Sequence, residues 1–212
     1  MADRSSIDVV TETLQKAKER AFPETVEVSI NLKDLDLSVP KNRLEDEVPL
    51  PNGRGRNVRV ALFGTPEMCQ KAKDVADVVM APAQLDELMK DKAAAKKLVE
   101  EIDFFLAEAP LMPTIGKRLG VVLGPRGKMP RPVPPGGDPT NIINALKRSV
   151  RVRSKGNRTF HAPVGVRTMP PDQIAQNVDA LLARVIGKLE RGRNNIESVY
   201  VKTSMGPAVR LW

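Results

Sequence analysis

The first fifty residues show one strand-like and one helix-like pattern of apolar positions. Residues 25–32 alternate between apolar and polar side chains, which predicts a strand with one buried and one polar face. Ahead of it, apolar residues recur at helical spacing after Ser5 and Ser6, which can cap a helix, and Phe22-Pro23 ends that helix. The apolar positions of the predicted helix are Ile7, Val10, Leu14 and Ala17.

Between residues 57 and 149 the pattern alternates between short apolar strands and helices. Strands are predicted at 58–63, 78–80 and 103–106. The first predicted helix begins at Pro66, the second covers 84–101, and the third lies around 115–122. A fourth is predicted to begin at Asp138-Pro139, with apolar positions that extend to Val150. This alternation predicts right-handed crossovers and a parallel sheet with helices on both faces.

After residue 149 the pattern changes back. Residues 150–153 and 159–162 flank a polar turn and predict a hairpin, and a long helix is predicted from Pro170 to Gly192. The last strand is predicted at 198–207, with Val199 and Val201 on its apolar side.

The expected fold class is α/β with two domains. Residues 1–56 and 150–212 are expected to form a discontinuous α+β domain of split β-α-β type. Residues 57–149 are expected to form an inserted, three-layer Rossmann-like domain. The Pro-, Gly- and Arg-rich chain crossings between them predict a hinge.

Charge is segregated along the chain, which indicates a polyanionic partner. Formal net charge is +8, yet residues 1–50 carry seven Lys and Arg against eleven Asp and Glu. Residues 117–158 carry eleven Lys and Arg against Asp138 alone. Such segregation is expected of a nucleic-acid-binding protein, although a solvated basic face would show it too.

The sequence lacks the residues that several classes of chemistry require. The single cysteine, Cys69, and the single histidine, His161, are too few for a zinc site or a Cys-His dyad, and Cys69 is interpreted as a structural thiol. Neither a dinucleotide nor a Walker motif occurs, so no cofactor or metal is predicted. The carboxylates at 45–47 are interpreted as an acidic surface turn. No signal sequence or membrane-spanning run is found, so a soluble, cytoplasmic protein is expected.

The remaining composition favours structured RNA. Aromatic residues make up only 3% of the chain, which argues against stacking on single strands. Structured RNA is recognised by shape, backbone and 2′-hydroxyls, and the hydroxyls and small residues at 198–206 suit that mode. Glu27 would accept from a ribose hydroxyl or a base amino group, or is a solvated carboxylate. The basic loop (residues 123–137) is either a surface linker or a loop that faces nucleic acid.

Four separated motifs, at residues 22–28, 123–130, 161–165 and 203–207, resemble signatures of the L-one family of large-subunit ribosomal proteins, in its archaeal form. The resemblance covers essentially the whole chain. It implies a component of the 50S-type subunit that binds the rRNA stalk near the E site and assists release of deacylated E-site tRNA. It also implies repression of its own operon by binding the operon mRNA, no enzymatic activity, and a monomer when free.

The predicted RNA-binding residues lie on the first strand, the turn after residue 153 and the last strand. They are Phe22, Thr25, Glu27, Ser29, Lys155, Arg158, His161, Ser198, Lys202, Thr203, Ser204, Met205 and Gly206. A secondary rRNA or tRNA contact is predicted at Arg126, Lys128 and Arg131. Ser204 stands where many relatives have Thr, which keeps the hydroxyl, whereas Ala21 replaces a basic residue that some relatives use on phosphate.

Two other functions stay open at this point. An RNA-modifying or nucleotide-dependent enzyme on residues 57–149 would bind a nucleotide or methyl donor there. A general architectural protein would bind DNA as well as RNA.

Overall fold

The computed structural model describes residues 4–212, except for the side chains of residues 86, 89, 90 and 92. The described chain forms two compact units. One comprises the residues up to Arg56 together with Arg148–Trp212, and the other is Asn57–Lys147. We call them the discontinuous unit and the inserted unit; their independence as domains stays a prediction.

The described residues form helices and strands that alternate along much of the chain. The helices are α1 (Ser6–Lys16), α2 (Pro66–Ala72), α3 (Pro82–Lys90), α4 (Lys92–Glu101), α5 (Met112–Arg118), α6 (Gly120–Leu123), α7 (Thr140–Lys147) and α8 (Pro171–Lys188). The strands are β1 (Thr25–Leu32), β2 (Glu45–Pro49), β3 (Val60–Phe63), β4 (Val78–Met80), β5 (Phe104–Glu108), β6 (Arg131–Val133), β7 (Ser149–Arg153), β8 (Thr159–Val166), β9 (Ile196–Thr203) and β10 (Val209–Arg210). Short 3-10 turns lie at Pro40–Asn42, Ala109–Leu111 and Gly192–Asn195.

The discontinuous unit is built on a four-stranded antiparallel sheet in the order β10-β9-β1-β8. Helix α8 connects β8 to β9, and β1 lies between these two strands, so the expected split β-α-β arrangement is present. Helices α1 and α8 pack on one face of the sheet. There Val28, Val199 and Val201 are fully buried and share a core with Val178 of α8.

Two predictions near this sheet were wrong. The acidic run at 45–47 is part of strand β2 rather than a surface turn, and β7 pairs with β2 rather than forming a hairpin with β8, which pairs with β1. Opposite charges explain the strand, because Glu45 faces Arg153 and Glu47 faces Arg151 across the pair. The Glu47 carboxylate lies 2.9 Å from the Arg151 guanidinium. Cross-strand ion pairs let carboxylates occupy a strand that sequence pattern alone would exclude.

Helix α1 is shorter than predicted, and one of its predicted apolar positions, Ile7, does not reach the core. It ends at Lys16, and Ala17 is already extended. Its buried residues are Val9, Val10 and Thr13, whereas Ile7 is 40% exposed. The Thr13 hydroxyl donates to the Val9 carbonyl at 2.7 Å, and this bond lets a polar residue occupy the core side of the helix.

The inserted unit has the predicted parallel sheet, in the order β4-β3-β5-β6. Its two faces bury different side chains. Phe63 and Phe105 pack toward α3, α4, α5 and α6, whereas Leu62 and Leu106 pack toward α2 and α7. The unit therefore has helices on both faces, as the alternating pattern predicted.

The boundaries in the inserted unit and just after it differ from prediction at three places. The helix predicted over 84–101 is broken at Asp91, whose carboxylate accepts from the backbone amides of Ala93 and Ala94 at the start of α4. The basic loop contains strand β6, which tolerates Pro132 because it lies at the sheet edge. Val150, assigned to the preceding helix by its spacing, lies in β7.

Candidate nucleic-acid interface

The face of the antiparallel sheet that lies opposite α1 and α8 carries polar residues in register. Three rows cross β9, β1 and β8 in that order. We call this surface the open face. Its rows are Lys202-Glu27-Pro163, Tyr200-Ser29-His161 and Ser198-Asn31-Thr159.

Side chains of the open face bond to one another across the strands. Asn31 Nδ2 donates to Ser198 Oγ at 2.8 Å, and Thr159 Oγ1 donates to Asn31 Oδ1 at 2.7 Å. The Glu27 carboxylate lies 3.8 Å from Lys202 Nζ, so it is neither purely solvated nor isolated. Such pairing holds the donors and acceptors of the face in fixed positions.

The predicted residues of the first and last strands are brought together here, although they are far apart in the sequence. Glu27 and Ser29 share rows with Lys202 and His161, and Ser198 occupies the third row. Sequence reasoning missed Asn31, Thr159 and Tyr200. The signal was available for Asn31, because the alternation that selected Glu27 and Ser29 continues to it.

The closing turn (residues 203–207) is fixed to the start of β1. The Ser204 amide donates to the Thr25 carbonyl at 2.9 Å, and the Met205 amide donates to Glu24 Oε1 at 3.1 Å. The Gly206 amide donates to the Thr203 carbonyl at 3.2 Å. These bonds place an exposed hydroxyl, Ser204, and an exposed thioether, Met205, beside the start of β1, at one end of the open face.

Two apolar side chains flank this region in solvent. Phe22 is 50% exposed and Met205 is 60% exposed. Glu24 connects the two segments, because it lies two residues after Phe22 and accepts a hydrogen bond from the Met205 amide. Exposed apolar groups beside polar ones are a common feature of interaction sites.

The structure separates two hydroxyls that the sequence treats alike. Thr203 is completely buried and its Oγ1 has no hydrogen-bond partner among the described residues, whereas Ser204 is exposed. A Cβ added to Gly206 would lie 2.3 Å from Thr203 Oγ1. Thr203 and Gly206 thus pack against each other inside the closing turn, which argues against direct contact of the Thr203 hydroxyl with a ligand.

Basic residues lie at the opposite end of β8 from the closing turn. Lys155 and Arg158 are exposed in the turn before β8, and Lys155 adopts a left-handed conformation with φ of 51°. The Arg158 carbonyl accepts from the Leu32 amide at 2.9 Å, which ties this turn to the end of β1. His161 is exposed on the open face itself.

The cations of the basic loop have partners inside the inserted unit. Lys128 Nζ donates to the carbonyls of Val99 and Ile102, at 2.7 and 2.6 Å, at the C-terminal end of α4. Arg126 Nη2 lies 2.6 Å from the Glu100 carboxylate. Arg131 is exposed at the start of β6. Lys128 is therefore placed as a helix-capping residue, and contact of these three with RNA stays a prediction.

The inserted unit has a crevice where doubly wound sheets bind nucleotides, at the carboxyl ends of β3 and β5. Glu108, only 5% exposed, lies in it and accepts from the Thr65 amide at 2.8 Å. A carboxylate at this position disfavours a phosphate. Burial raises the pKa of the nearby Cys69 thiol, which donates to the Gly64 carbonyl, so this thiol is a poor nucleophile.

Among the described residues, no group of three or more His, Cys, Asp or Glu side chains is placed to hold a metal ion. Over the same residues, none of the helices has the length and apolar character needed to span a bilayer.

Fold and site together define an α/β protein with an open polar sheet face and an exposed closing turn. A family model described as "Ribosomal protein L1p/L10e family" matches residues 14–207. The chain belongs to this family, as its motifs indicated.

Curated relatives match over nearly the whole chain. A protein of Thermoplasma volcanium is 53% identical over 93% of this chain and 91% of the relative. One from Methanocella arvoryzae is 48% identical over 100% of both. One from Pyrococcus horikoshii is 49% identical over 99% of this chain and 96% of the relative. Each is named "Large ribosomal subunit protein uL1", a name that describes a ribosomal component and no catalytic activity.

Proposed function

We propose that this protein is a component of the large ribosomal subunit in the cytoplasm and binds the stalk of large-subunit rRNA near the E site. The single observation that carries the proposal is the closing turn, which lies against β1 and presents Ser204 and Met205 beside the open face. Family membership and the printed names of the relatives support the subunit assignment.

Recognition of structured RNA requires shallow, fixed hydrogen-bonding groups, because the RNA minor groove is wide and presents 2′-hydroxyls. The open face carries such groups: Thr159 and His161 are exposed and Asn31 is half-buried, whereas Ser29 and Ser198 are nearly buried, at 9% and 8% exposure. Ser204 supplies an exposed hydroxyl. Lys155 and Arg158 supply positive charge that attracts the phosphates without reading sequence.

A salt titration with two RNAs tests this function. We expect the protein to bind a stalk rRNA fragment more tightly than an unrelated RNA duplex of equal length at every salt concentration. The logarithm of the association constant should fall linearly with the logarithm of salt, by about 0.7 to 0.9 per phosphate neutralised. Equal affinity for the two RNAs would overturn the proposal. Equal affinity for duplex DNA would instead identify an architectural nucleic-acid protein.

The proposal extends to two further partners. The protein represses translation of its own operon when its mRNA carries a site that resembles the stalk, and it assists release of deacylated tRNA from the E site. If one surface serves rRNA and mRNA, Ser204→Val should weaken both complexes in parallel, and the two RNAs should compete. Loss of only one complex would show two separate surfaces.

The tRNA role has a different readout. Ribosomes that lack the protein should retain deacylated tRNA at the E site longer than ribosomes to which the protein is restored. Unchanged tRNA dissociation after restoration would remove this part of the proposal and leave rRNA binding unaffected.

A further inference from the structure

Glu24 is a buried carboxylate at the junction of the chain's two ends. Its side chain is 1% exposed, so it cannot touch a bound RNA directly in this conformation. A carboxylate is costly to bury unless charges and hydrogen bonds compensate it. The question is therefore what this buried charge does.

The contacts of Glu24 all lead to the segments that present the exposed site residues. Oε1 accepts from the Met205 amide at 3.1 Å, and the backbone carbonyl of Glu24 accepts from the Arg167 amide at 2.9 Å. Two guanidinium groups compensate the charge, with Arg20 at 3.5 Å and Arg167 at 3.8 Å. Oε2 is buried and has no hydrogen-bond partner within residues 4–212.

Arg167 extends this network to the segment that carries Phe22. Its Nη2 donates to the Ala17 carbonyl at 3.1 Å, and its Nη1 donates to the Lys18 carbonyl. The backbone between α1 and β1 is thus tied to the same ion cluster that holds the closing turn. The backbone that leads to Phe22 and the backbone at Met205 thus share bonding partners in Glu24 and Arg167.

We infer that Glu24 is a positioning residue for RNA recognition: it holds the closing turn and the Phe22 segment in one arrangement before RNA binds. The expected effect of Glu24 on RNA affinity rests on the proposed function. Its effect on the closing turn does not, because that is a property of the free protein. A preformed site loses less conformational freedom on binding, which favours affinity.

The loss of the Glu24 charge distinguishes a positioning role from simple electrostatic repulsion, because the two predict opposite changes in RNA affinity. Removal of a carboxylate near an RNA site should strengthen binding slightly, because a repulsion disappears. If Glu24 is a positioning residue, its removal should weaken binding instead. The matched control is Glu19→Gln, because Glu19 is exposed in the same segment and its substitution changes the net charge equally.

The test combines amide hydrogen exchange in the free protein with binding of the stalk fragment and an unrelated duplex. In Glu24→Ala we expect the Met205 amide to exchange about tenfold faster relative to the Val201 amide, and stalk affinity to fall about tenfold. Duplex affinity should stay within about twofold of the control, since nonspecific binding depends on phosphate contacts. Glu24→Gln, which keeps an acceptor oxygen, should recover most of both losses.

Glu24→Asp keeps the charge but shortens the side chain, so this variant tests the positioning role if Glu24→Ala does not fold. Faster Met205 exchange and weaker stalk binding in Glu24→Asp support the inference. The inference is overturned if both Glu24→Ala and Glu24→Asp show the amide exchange and the stalk affinity of the unmodified protein. If Glu24→Ala does not fold, the same result in Glu24→Asp alone overturns it. If the unmodified protein shows no preference for the stalk, the proposed function fails, and the exchange data still test the role of Glu24 in the turn.

Discussion

The closing turn and the basic loop contrast in how they use their polar groups. The basic loop is rich in cations, yet Lys128 and Arg126 bind acceptors within the inserted unit. The closing turn has no charged side chain, yet it presents an exposed hydroxyl and an exposed thioether. Positive charge is therefore a poor guide to which side chains are available to a partner, because cations also stabilise helix ends and form ion pairs.

The contrast also explains how a basic protein can recognise RNA specifically. Phosphate contacts position a protein on RNA but are insensitive to what the RNA is. Fixed hydroxyls and amides can distinguish one RNA shape from another. The two regions then have separable effects, and substitutions in each should change different measurements.

The largest expected effect comes from Gly206→Ala. The new Cβ would lie 2.3 Å from Thr203 Oγ1, so the closing turn must shift. We expect the free energy of unfolding to fall by up to about 3 kcal/mol, with loss of stalk affinity. Chemical denaturation and the stalk titration measure both.

Two variants control this prediction. In the double variant with Thr203→Ala the nearest remaining Thr203 atom is Cβ at 3.6 Å, so much of the loss should be recovered. Gly187→Ala adds a Cβ on α8 that meets nothing within 4 Å and should leave stability equal or higher. Failure of the double variant to recover would mean that Gly206 is needed for another reason.

Ser204→Val should reduce stalk affinity by about 1–2 kcal/mol, because RNA groups that pair with the hydroxyl are left unsatisfied. Stability should change little, since Ser204 is exposed. Ser204→Thr keeps the hydroxyl and should bind normally. Thr203→Val should also leave affinity nearly unchanged, because that hydroxyl is buried and has no hydrogen-bond partner in the described part of the chain. An equal loss of affinity at both positions would mean that the two hydroxyls do not differ in their contact with RNA.

Lys128→Ala should affect stability rather than RNA binding. It removes two hydrogen bonds to the C-terminal carbonyls of α4, which we expect to destabilise the inserted unit by about 1 kcal/mol. Lys117→Ala, at an exposed position of α5, is the control with the same change in charge. A larger loss of stalk affinity in Lys128→Ala than in Lys117→Ala, without loss of stability, would make the basic loop a recognition element after all.

The smallest effect concerns Asp138, the one carboxylate among residues 117–158. Hydrogen bonds from the Thr140 side chain and amide lower its pKa, so its contribution to stability is present above the unfolded pKa of about 4 and is lost as pH falls through the folded value. Asp138→Ala should therefore be slightly less stable than the unmodified protein at neutral pH, and the difference should shrink as pH falls below the unfolded pKa of about 4. Asp138→Asn, which accepts a hydrogen bond but does not titrate, separates the bond from the charge. A difference that persists at low pH would contradict this account.

Much of the fold followed from periodicity. The alternation at 25–32 predicted β1 with its correct bounds, and the strand–helix alternation predicted the parallel sheet. Periodicity failed where interactions between distant segments decide the structure. Strand β2 depends on arginines about a hundred residues away, and the short strand β6 is completed by pairing with β5. Neither influence is visible in a local window.

The candidate site shows the same limit. Glu27, Ser29 and Ser198 lie on one sheet face and Ser204 lies beside it, as the motifs suggested, and their contact with RNA stays a prediction. Asn31 could have been found from the alternation along β1, whereas Thr159 and Tyr200 were missed because neither belongs to a distinctive motif. Their role in the open face depends on register with other strands.

By itself, the sequence determined the faces of the strands, the alternating inserted unit and the family, because side-chain period and motif order are local or linear properties. Only the tertiary structure decided which polar groups are available. Thr203 and Ser204 are adjacent in the chain and chemically similar, yet one is buried and the other exposed. The reason is that Thr203 ends β9 beside the buried Val26, on the side of the sheet that the helices cover, whereas Ser204 already lies in the turn that leaves the sheet.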